Sequence, residues 1–105
     1  MEEHVPTPVA IDPDDTGDLA VDVGRRLSLA RRALGLQQQE FAARAGLSQP
    51  QYSQFETGKR RLTIEAAIKL CHAYSLTLDY LYLGDPSGLP HRLLVAIKKI
   101  RSETY

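Results

Sequence analysis

Apolar residues recur along most of the chain with the spacing of an α-helix. Val23, Leu27, Ala30 and Leu34 lie at i, i+4, i+7 and i+11, which places them on one face of a helix. No stretch alternates apolar and polar residues over the length of a strand, so the predicted fold class is all-α. The pattern predicts six helical segments, at residues 22–34, 38–45, 49–57, 64–74, 77–83 and 91–103.

Glycines and short polar side chains mark the expected helix ends. Asp22 is the expected N-cap of the first helix, and Gly35 is the residue expected to end it. Ser48 and Thr63 are expected to cap the third and fourth helices. These signals predict an irregular, Pro-containing acidic arm at 1–20, a helical domain at 21–84, a linker at 85–90 and a C-terminal helix at 91–105.

The C-terminal helix carries an apolar stripe of its own. Leu93, Ile97 and Ile100 lie at i, i+4 and i+7, and such a stripe needs a partner surface. Two partners remain open from the sequence. The stripe packs back onto the fourth and fifth helices, or it packs across a homodimer.

Charge is divided unevenly between the arm and the rest of the chain. The 105 residues contain 13 basic and 13 acidic residues, which gives no net charge. Residues 1–22 hold seven acidic residues and no basic one, so residues 23–105 carry a net charge of +7. This asymmetry is typical of a basic binding domain with an acidic tail. The tail either keeps the protein soluble or folds over the basic surface and competes with an anionic partner.

Composition and motifs exclude several classes of protein. No apolar run approaches the length of a membrane span, and the acidic, Pro-containing start is not a signal peptide, so a cytoplasmic location is expected. The single cysteine, Cys71, cannot form an internal disulfide and is expected to be a small core residue. No catalytic, metal-binding or nucleotide-binding pattern is present. We therefore expect no enzymatic activity, no metal and no cofactor.

The second and third predicted helices, with Gly46 between them, have the layout of a helix-turn-helix. The third helix is rich in amides and hydroxyls on its outer face. Glutamine can pair with adenine in the major groove, and a run of cations just beyond the helix can neutralise phosphates. The outer polar residues are Gln49, Gln51, Ser53, Gln54 and Thr57, and the cations are Lys59, Arg60 and Arg61.

Residues 23–83 resemble the phage-repressor-type (XRE, lambda-repressor-like) helix-turn-helix family. The resemblance rests on Gln38, Ala42, Gly46, Ser48, Gln49, Ser53, Glu56, Gly58 and Lys59, in order and spacing. It implies a compact five-helix domain followed here by a sixth helix, with the third helix in the major groove of DNA. The resemblance implies DNA contacts for Gln38, Gln49, Pro50, Ser53, Gln54, Lys59, Arg60 and Arg61. The predicted set of DNA-binding residues also includes Ser48, Gln51 and Thr57, which are polar residues at the start, flank and end of the third helix.

The resemblance also identifies structural positions and departures. It pairs Arg31 with Glu56 in a structural ion pair. Pro50 replaces a base-reading side chain of many relatives, so only apolar readout is possible there. Gln37 stands at the usual Ser or Thr cap of the second helix, so that cap is expected to be weak. The other arginines of the first helix, Arg25, Arg26 and Arg32, are expected to be solvated.

Two functions of different classes follow from this resemblance. The first is a sequence-specific DNA-binding transcriptional regulator, most simply a repressor, that acts as a homodimer on double-stranded DNA. The second is an antitoxin or regulatory module that keeps the same helix-turn-helix core but uses its C-terminal helix or its acidic arm to bind a protein partner, such as a toxin or another regulator. The acidic arm is not expected to grip DNA, because its carboxylates would be repelled by phosphate.

Overall fold

The computed structural model describes residues 12–104, which fold into five α-helices and one π-helical segment and contain no strand. The predicted all-α fold class is confirmed. Predictions for residues 1–11 of the arm lie outside the described residues. No helix in the described part is long and apolar enough to cross a membrane. The segments are α1 (Leu19–Ala33), α2 (Gln38–Arg44), α3 (Gln49–Glu56), α4 (Ile64–Tyr74), the π segment (Asp79–Leu83) and α5 (His91–Thr104).

Side-chain caps fix the first residues of α3 and α4. The Ser48 hydroxyl accepts a hydrogen bond from the Gln51 N–H at 3.3 Å, and the Thr63 hydroxyl accepts one from the Ala66 N–H at 3.1 Å. Both predicted caps are confirmed. Each supplies an acceptor for one of the backbone N–H groups that the first turn of a helix leaves unpaired.

The prediction that Asp22 caps the first helix is wrong. α1 begins three residues earlier, with Asp18 as its N-cap. Asp22 lies buried in the first turn, where its carboxylate accepts hydrogen bonds from the N–H and the hydroxyl of Thr16, both at 2.9 Å. Burial alone would raise the pKa of Asp22, but the Thr16 hydrogen bonds and the nearby arginines outweigh it and lower that pKa. The chain before α1 therefore folds back over the helix.

An aromatic cluster joins α2, α3 and α4. Phe41 of α2 meets Tyr52 of α3 edge to face, with ring centroids 5.2 Å apart. Phe41 also stacks on Tyr74 of α4 at 4.2 Å, and the Tyr74 hydroxyl donates to the Phe41 carbonyl at 2.7 Å. Such ring pairs add to the apolar burial that holds the domain together. From the predicted stripe of α1, Leu27 is fully buried, whereas Leu34 is the C-cap of α1 and is exposed.

The apolar stripe of α5 is buried within the same chain. Leu93 and Ile97 are in the core, and Ile100 packs against the core with partial exposure. The main neighbour of α5 is α1, and not the fourth and fifth helical segments that the sequence offered as its intramolecular partners. The other possibility left open, that this stripe forms a dimer contact, would require α5 to leave α1.

The aspartates before α1 bind the arginines of α1. Arg26, whose side chain is only 1% exposed, donates from Nε to Asp12 at 2.9 Å and from a terminal nitrogen to the Leu81 carbonyl at 3.0 Å. It also pairs with Asp15, and Arg25 donates to Asp12 at 2.9 Å. The prediction that these two arginines are solvated is wrong. A buried guanidinium needs an anionic partner, and the acidic segment supplies it.

The same acidic segment reaches α5. Arg101 of α5 donates from Nε to Asp14 at 2.6 Å. The segment of residues 12–18 therefore bridges α1 and α5, because its carboxylates bind arginines of both helices. The described part of the arm thus folds over arginines of α1 and α5.

Replacing Asp12 tests the importance of this bridge. We expect Asp12→Asn to lower the free energy of unfolding by about 2 kcal/mol at neutral pH, because Arg26 loses a charged hydrogen-bond partner. Burial alone would raise the pKa of Asp12, but its bonds to Arg26, Asp14 and Arg25 lower it below 3.8. The stabilisation is therefore complete above that pH and is lost as the pH falls through the lower folded pKa.

The measurement is urea unfolding of the parent and variant chains from neutral pH to about pH 3. The difference between them should shrink toward the acidic end. Glu103→Gln on the exposed end of α5 is the matched control and should leave stability unchanged. Equal stability of the parent and Asp12→Asn at neutral pH would show that Asp15 alone satisfies Arg26.

Candidate nucleic-acid interface

The turn between α2 and α3 fixes the relative orientation of these two helices. Gly46 lies in this turn with φ = 76°, a left-handed conformation that glycine adopts without steric cost. The Leu47 N–H donates to the Ala42 carbonyl at 2.9 Å, which closes the end of α2. Leu47 is buried, so the turn anchors the start of α3 in the core.

The first turns of α2 and α3 differ in how they are capped. Gln37, the N-cap of α2, makes no side-chain cap hydrogen bond, as predicted from the missing Ser or Thr. Ser48 caps α3, and Pro50 occupies its first turn, where proline is tolerated because that N–H has no helical partner. Ser48 therefore has a structural role as the N-cap of α3. Its contact with DNA stays a prediction.

The outer surface of α3 carries the polar residues that the sequence singled out. Gln49, Pro50, Gln54 and Thr57 are exposed, and Tyr52 on the opposite side is buried. Residues 51 and 53 are half-buried at the flanks. The Thr57 hydroxyl donates to the Ser53 carbonyl at 3.0 Å, so its one donor is used within the helix. The structure thus brings these residues onto one surface, and their role in DNA binding stays a prediction.

An ion pair ties α1 to the end of α3. Arg31 donates to both carboxylate oxygens of Glu56, from Nε at 2.9 Å and from a terminal nitrogen at 2.8 Å. A third donor of Arg31 reaches the Leu36 carbonyl at 2.9 Å. Both side chains are largely buried, with 14% and 9% exposure. The predicted pair is confirmed, in the two-pronged geometry that makes arginine–carboxylate bonds strong.

This pair changes the acidity of both partners. Burial alone would raise the pKa of Glu56, but the hydrogen bonds it accepts, first among them those from Arg31, lower it overall. The hydrogen bonds to Glu56 raise the pKa of Arg31 in turn, against the opposing effect of its burial. Glu56 is thus a carboxylate throughout the physiological range, and its charge is neutralised within the fold.

Two glutamines extend the ion pair to the surface. The Gln38 side chain at the start of α2 donates to Glu56 at 3.2 Å, and its oxygen accepts from the Gln49 side chain at 3.0 Å. A carboxylate can only accept, so the Gln38 amide must turn its nitrogen toward Glu56 and its oxygen toward Gln49. The chain of contacts from Arg31 to Gln49 therefore fixes how the Gln49 amide is oriented.

Unpaired basic residues and acidic residues lie on different parts of the domain surface. Lys59, Arg60 and Arg61 follow α3 and are exposed, and none of them pairs with a carboxylate within residues 12–104. The one acidic residue of α3, Glu56, is bound by Arg31. The aspartates of residues 12–15 contact α1 and α5 instead. The surface formed by α3 and the following loop is therefore positively charged.

Gly24 is a positioning residue that the sequence analysis missed. A Cβ atom added there would lie 2.4 Å from the Glu56 carbonyl oxygen and 2.7 Å from that of Phe55. Only glycine lets α1 approach the backbone at the end of α3 this closely. A glycine inside a strongly amphipathic helix was the available signal, since glycine lowers helix stability without such a reason.

Comparison with known proteins finds one matching family model and a similar transcriptional regulator. A family model described as helix-turn-helix (HTH_3) matches residues 27–81. The chain is also 32% identical over 68 residues to an uncharacterized transcriptional regulator in the ATPase CF(0) region of Rhodospirillum rubrum. That match covers 61% of this chain and 63% of the relative. No solved structure matches the chain closely enough to extend the comparison.

Replacing Glu56 tests whether the ion pair holds the third helix in place. We expect Glu56→Ala to lower the free energy of unfolding by about 3–5 kcal/mol, because Arg31 would be left buried without its partner. Glu65→Ala, at an exposed position of α4, is the matched control and should have little effect. Thermal unfolding of the two variants decides the matter, and similar melting temperatures would contradict a structural role for the pair.

Proposed function

Because the chain belongs to the helix-turn-helix family of DNA-binding transcriptional regulators, we propose that it reads specific sequences of double-stranded DNA through α3. The observation that carries this proposal is the exposed Gln49 amide, held by Gln38 and, through it, by Glu56. Orientation before binding reduces the entropy cost of ordering the side chain at the interface. An amide held in one orientation is suited to forming hydrogen bonds with the edge of a base.

The chemistry of Gln49 matches adenine. Its nitrogen uses one N–H on Gln38, which leaves the second N–H and the oxygen available. Adenine offers an N7 acceptor and an N6 donor in the major groove, and glutamine pairs with both. Gln54 is exposed on the same helix and supplies a second amide. Pro50 and the methyl group of Thr57 offer apolar contact, as to the methyl group of thymine.

The residues around α3 are suited to positioning the DNA backbone. Lys59, Arg60 and Arg61 carry three positive charges immediately after the helix. Such contacts fix register and orientation and carry no direct sequence information. We assign the same task to polar groups at the helix starts and the flank of α3, namely Gln38, Ser48, Gln51 and Ser53.

We further propose that the protein acts as a homodimer and represses transcription in the cytoplasm. One recognition helix covers only a few base pairs, so two copies on half-sites about 34 Å apart give useful specificity. A small protein that covers DNA in this way excludes other proteins from the same sequence. The relative from Rhodospirillum rubrum, described as a transcriptional regulator, supports a role in transcription.

Selection of bound duplexes from a random pool is the experiment that tests this proposal. The full chain should enrich a short sequence, and its affinity for random duplex should rise as salt is lowered. Enrichment without any salt dependence would contradict the assigned role of the basic loop. The absence of any salt-dependent binding to duplex DNA would contradict the proposal as a whole.

Replacing Gln49 or Gln54 should relax base preference. Each bidentate amide contact is worth about 1–3 kcal/mol of discrimination against the wrong base. Gln49→Ala or Gln54→Ala should therefore lose most of the preference at one base pair per half-site and keep its affinity for random duplex. Gln39→Ala, an exposed glutamine outside the assigned set, is the control. Equal losses on selected and random duplex would show that a residue only positions the backbone.

Replacing Lys59 should weaken binding to every sequence alike. We expect Lys59→Ala to reduce the slope of log affinity against log salt by about 0.9, the value for one lost phosphate contact. Lys98→Ala on α5 removes an exposed cation at a distance from α3 and should leave the slope unchanged. An unchanged slope for Lys59→Ala would place that side chain away from the DNA.

A further inference from the structure

A small cavity lies where the acidic segment of residues 12–18, α1, the π segment and α5 meet. Asp12 and Pro13 line it from the acidic segment, and Tyr80 lines it from the π segment. Its volume is about 80 Å³. Because a water molecule needs roughly 10–15 Å³ of such space, the cavity can hold a molecule of about six heavy atoms.

Aliphatic side chains of α1 and α5 form part of the wall of this cavity. Leu29 of α1 and Ile97 of α5 are buried, and Leu94 of α5 is half-buried. Ligand sites in proteins combine apolar walls of this kind with a few polar groups that fix the orientation of the ligand. An aliphatic ligand would displace water from these side chains, which favours its binding.

Basic residues provide most of the charge around this cavity. Arg25 of α1 lines it, together with Lys98 and Arg101 of α5. Within the described part of the chain, Asp12 is the one acidic residue that lines it. The carboxylate of Asp12 is bound by Arg25 and by Arg26, both at 2.9 Å, so its charge is compensated within the fold. The lining is therefore suited to a negatively charged group.

Lys98 is the lining cation that can receive such a group. Arg25 binds Asp12, and Arg101 binds Asp14 at 2.6 Å, whereas Lys98 forms no ion pair with a carboxylate of residues 12–104. Lys98 is exposed, and it lies four residues after Leu94 on the same face of α5. A ligand whose carbon body contacts Leu94 therefore has its other end close to an ammonium group.

We infer that this cavity binds a small aliphatic carboxylate, with its carbon body against Leu29, Leu94 and Ile97 and its carboxylate at Lys98. A carboxylate and an ammonium group form a charge-assisted hydrogen bond, which is stronger than a bond between neutral groups. The site is formed by α1, α5, the π segment and the acidic segment, so it does not depend on the proposed contact of α3 with DNA. A ligand that binds only the folded chain also stabilises it.

The test titrates the isotopically labelled full chain with isobutyrate, whose size matches the cavity, and follows the backbone amide signals by NMR. Isobutyramide has nearly the same shape without the charge, and acetate has the charge with a shorter carbon body. Isobutyrate should cause saturable changes at Leu29, Leu94 and Lys98. Isobutyramide and acetate should each bind about tenfold more weakly or less, because each lacks one of the two recognised features.

Two pairs of variants connect this binding to the cavity. Lys98→Gln removes the charge that receives the carboxylate, and Lys99→Gln changes a neighbouring exposed lysine that does not line the cavity. Leu94→Phe fills the cavity with a larger side chain, and Val95→Phe places the same ring at an exposed position of α5. Lys98→Gln should weaken isobutyrate binding about tenfold, and Leu94→Phe should abolish it. Both control variants should bind isobutyrate as the parent does.

Thermal unfolding checks the fold of each variant and gives a second measure of binding. Saturating isobutyrate should raise the melting temperature of the parent and of both controls, and it should leave that of Leu94→Phe unchanged. If Leu94→Phe does not fold, the comparison of Lys98→Gln with Lys99→Gln decides, because both positions are exposed. The inference is overturned if isobutyrate binding is not saturable, if isobutyramide binds equally well, or if Lys98→Gln binds isobutyrate as tightly as the parent.

Discussion

The ion pair between Arg31 and Glu56 is the interaction on which the arrangement of the first three helices depends. It joins the last turn of α1 to the last residue of α3, and both side chains are largely buried. A buried pair of this kind specifies one relative position, because displacement of either partner leaves a charge without compensation. Gly24 adds a steric constraint at the same contact, since it lets α1 meet the carbonyl groups at the end of α3.

The same carboxylate also governs the surface. Glu56 accepts from Gln38, and Gln38 accepts from Gln49, so the orientation of an exposed amide is determined by an interaction inside the domain. The acidic segment has a complementary effect, because Asp12 and Asp15 neutralise buried arginines of α1 and leave the loop after α3 positive. A chain with no net charge can thus present a cationic surface to DNA.

The positions of the helices could be predicted from the sequence because helix periodicity and capping depend on residues close together in the chain. Ser48, Thr63 and Gly46 act as their positions in the sequence predict, and the Arg31–Glu56 pair followed from the family resemblance. The buried state of Arg26 was not predictable from periodicity, because its partner Asp12 lies before the helix and meets it only through tertiary folding. The role of Asp22 was mistaken for the same reason. Its hydrogen-bond donors come from Thr16, which lies before α1 and meets Asp22 only in the folded chain. The face of α5 was predicted correctly, but periodicity does not identify which helix that face meets.

The most direct test of this account is to titrate the isotopically labelled full chain with a selected duplex and follow its backbone amide signals by NMR. We expect the largest changes in α3 and in Lys59–Arg61, with a smaller group at the start of α2. Signals of α5 and of residues 12–15 should change little. Changes centred on α5, with α3 unaffected, would contradict the assignment of α3 as the recognition helix and the central claim with it.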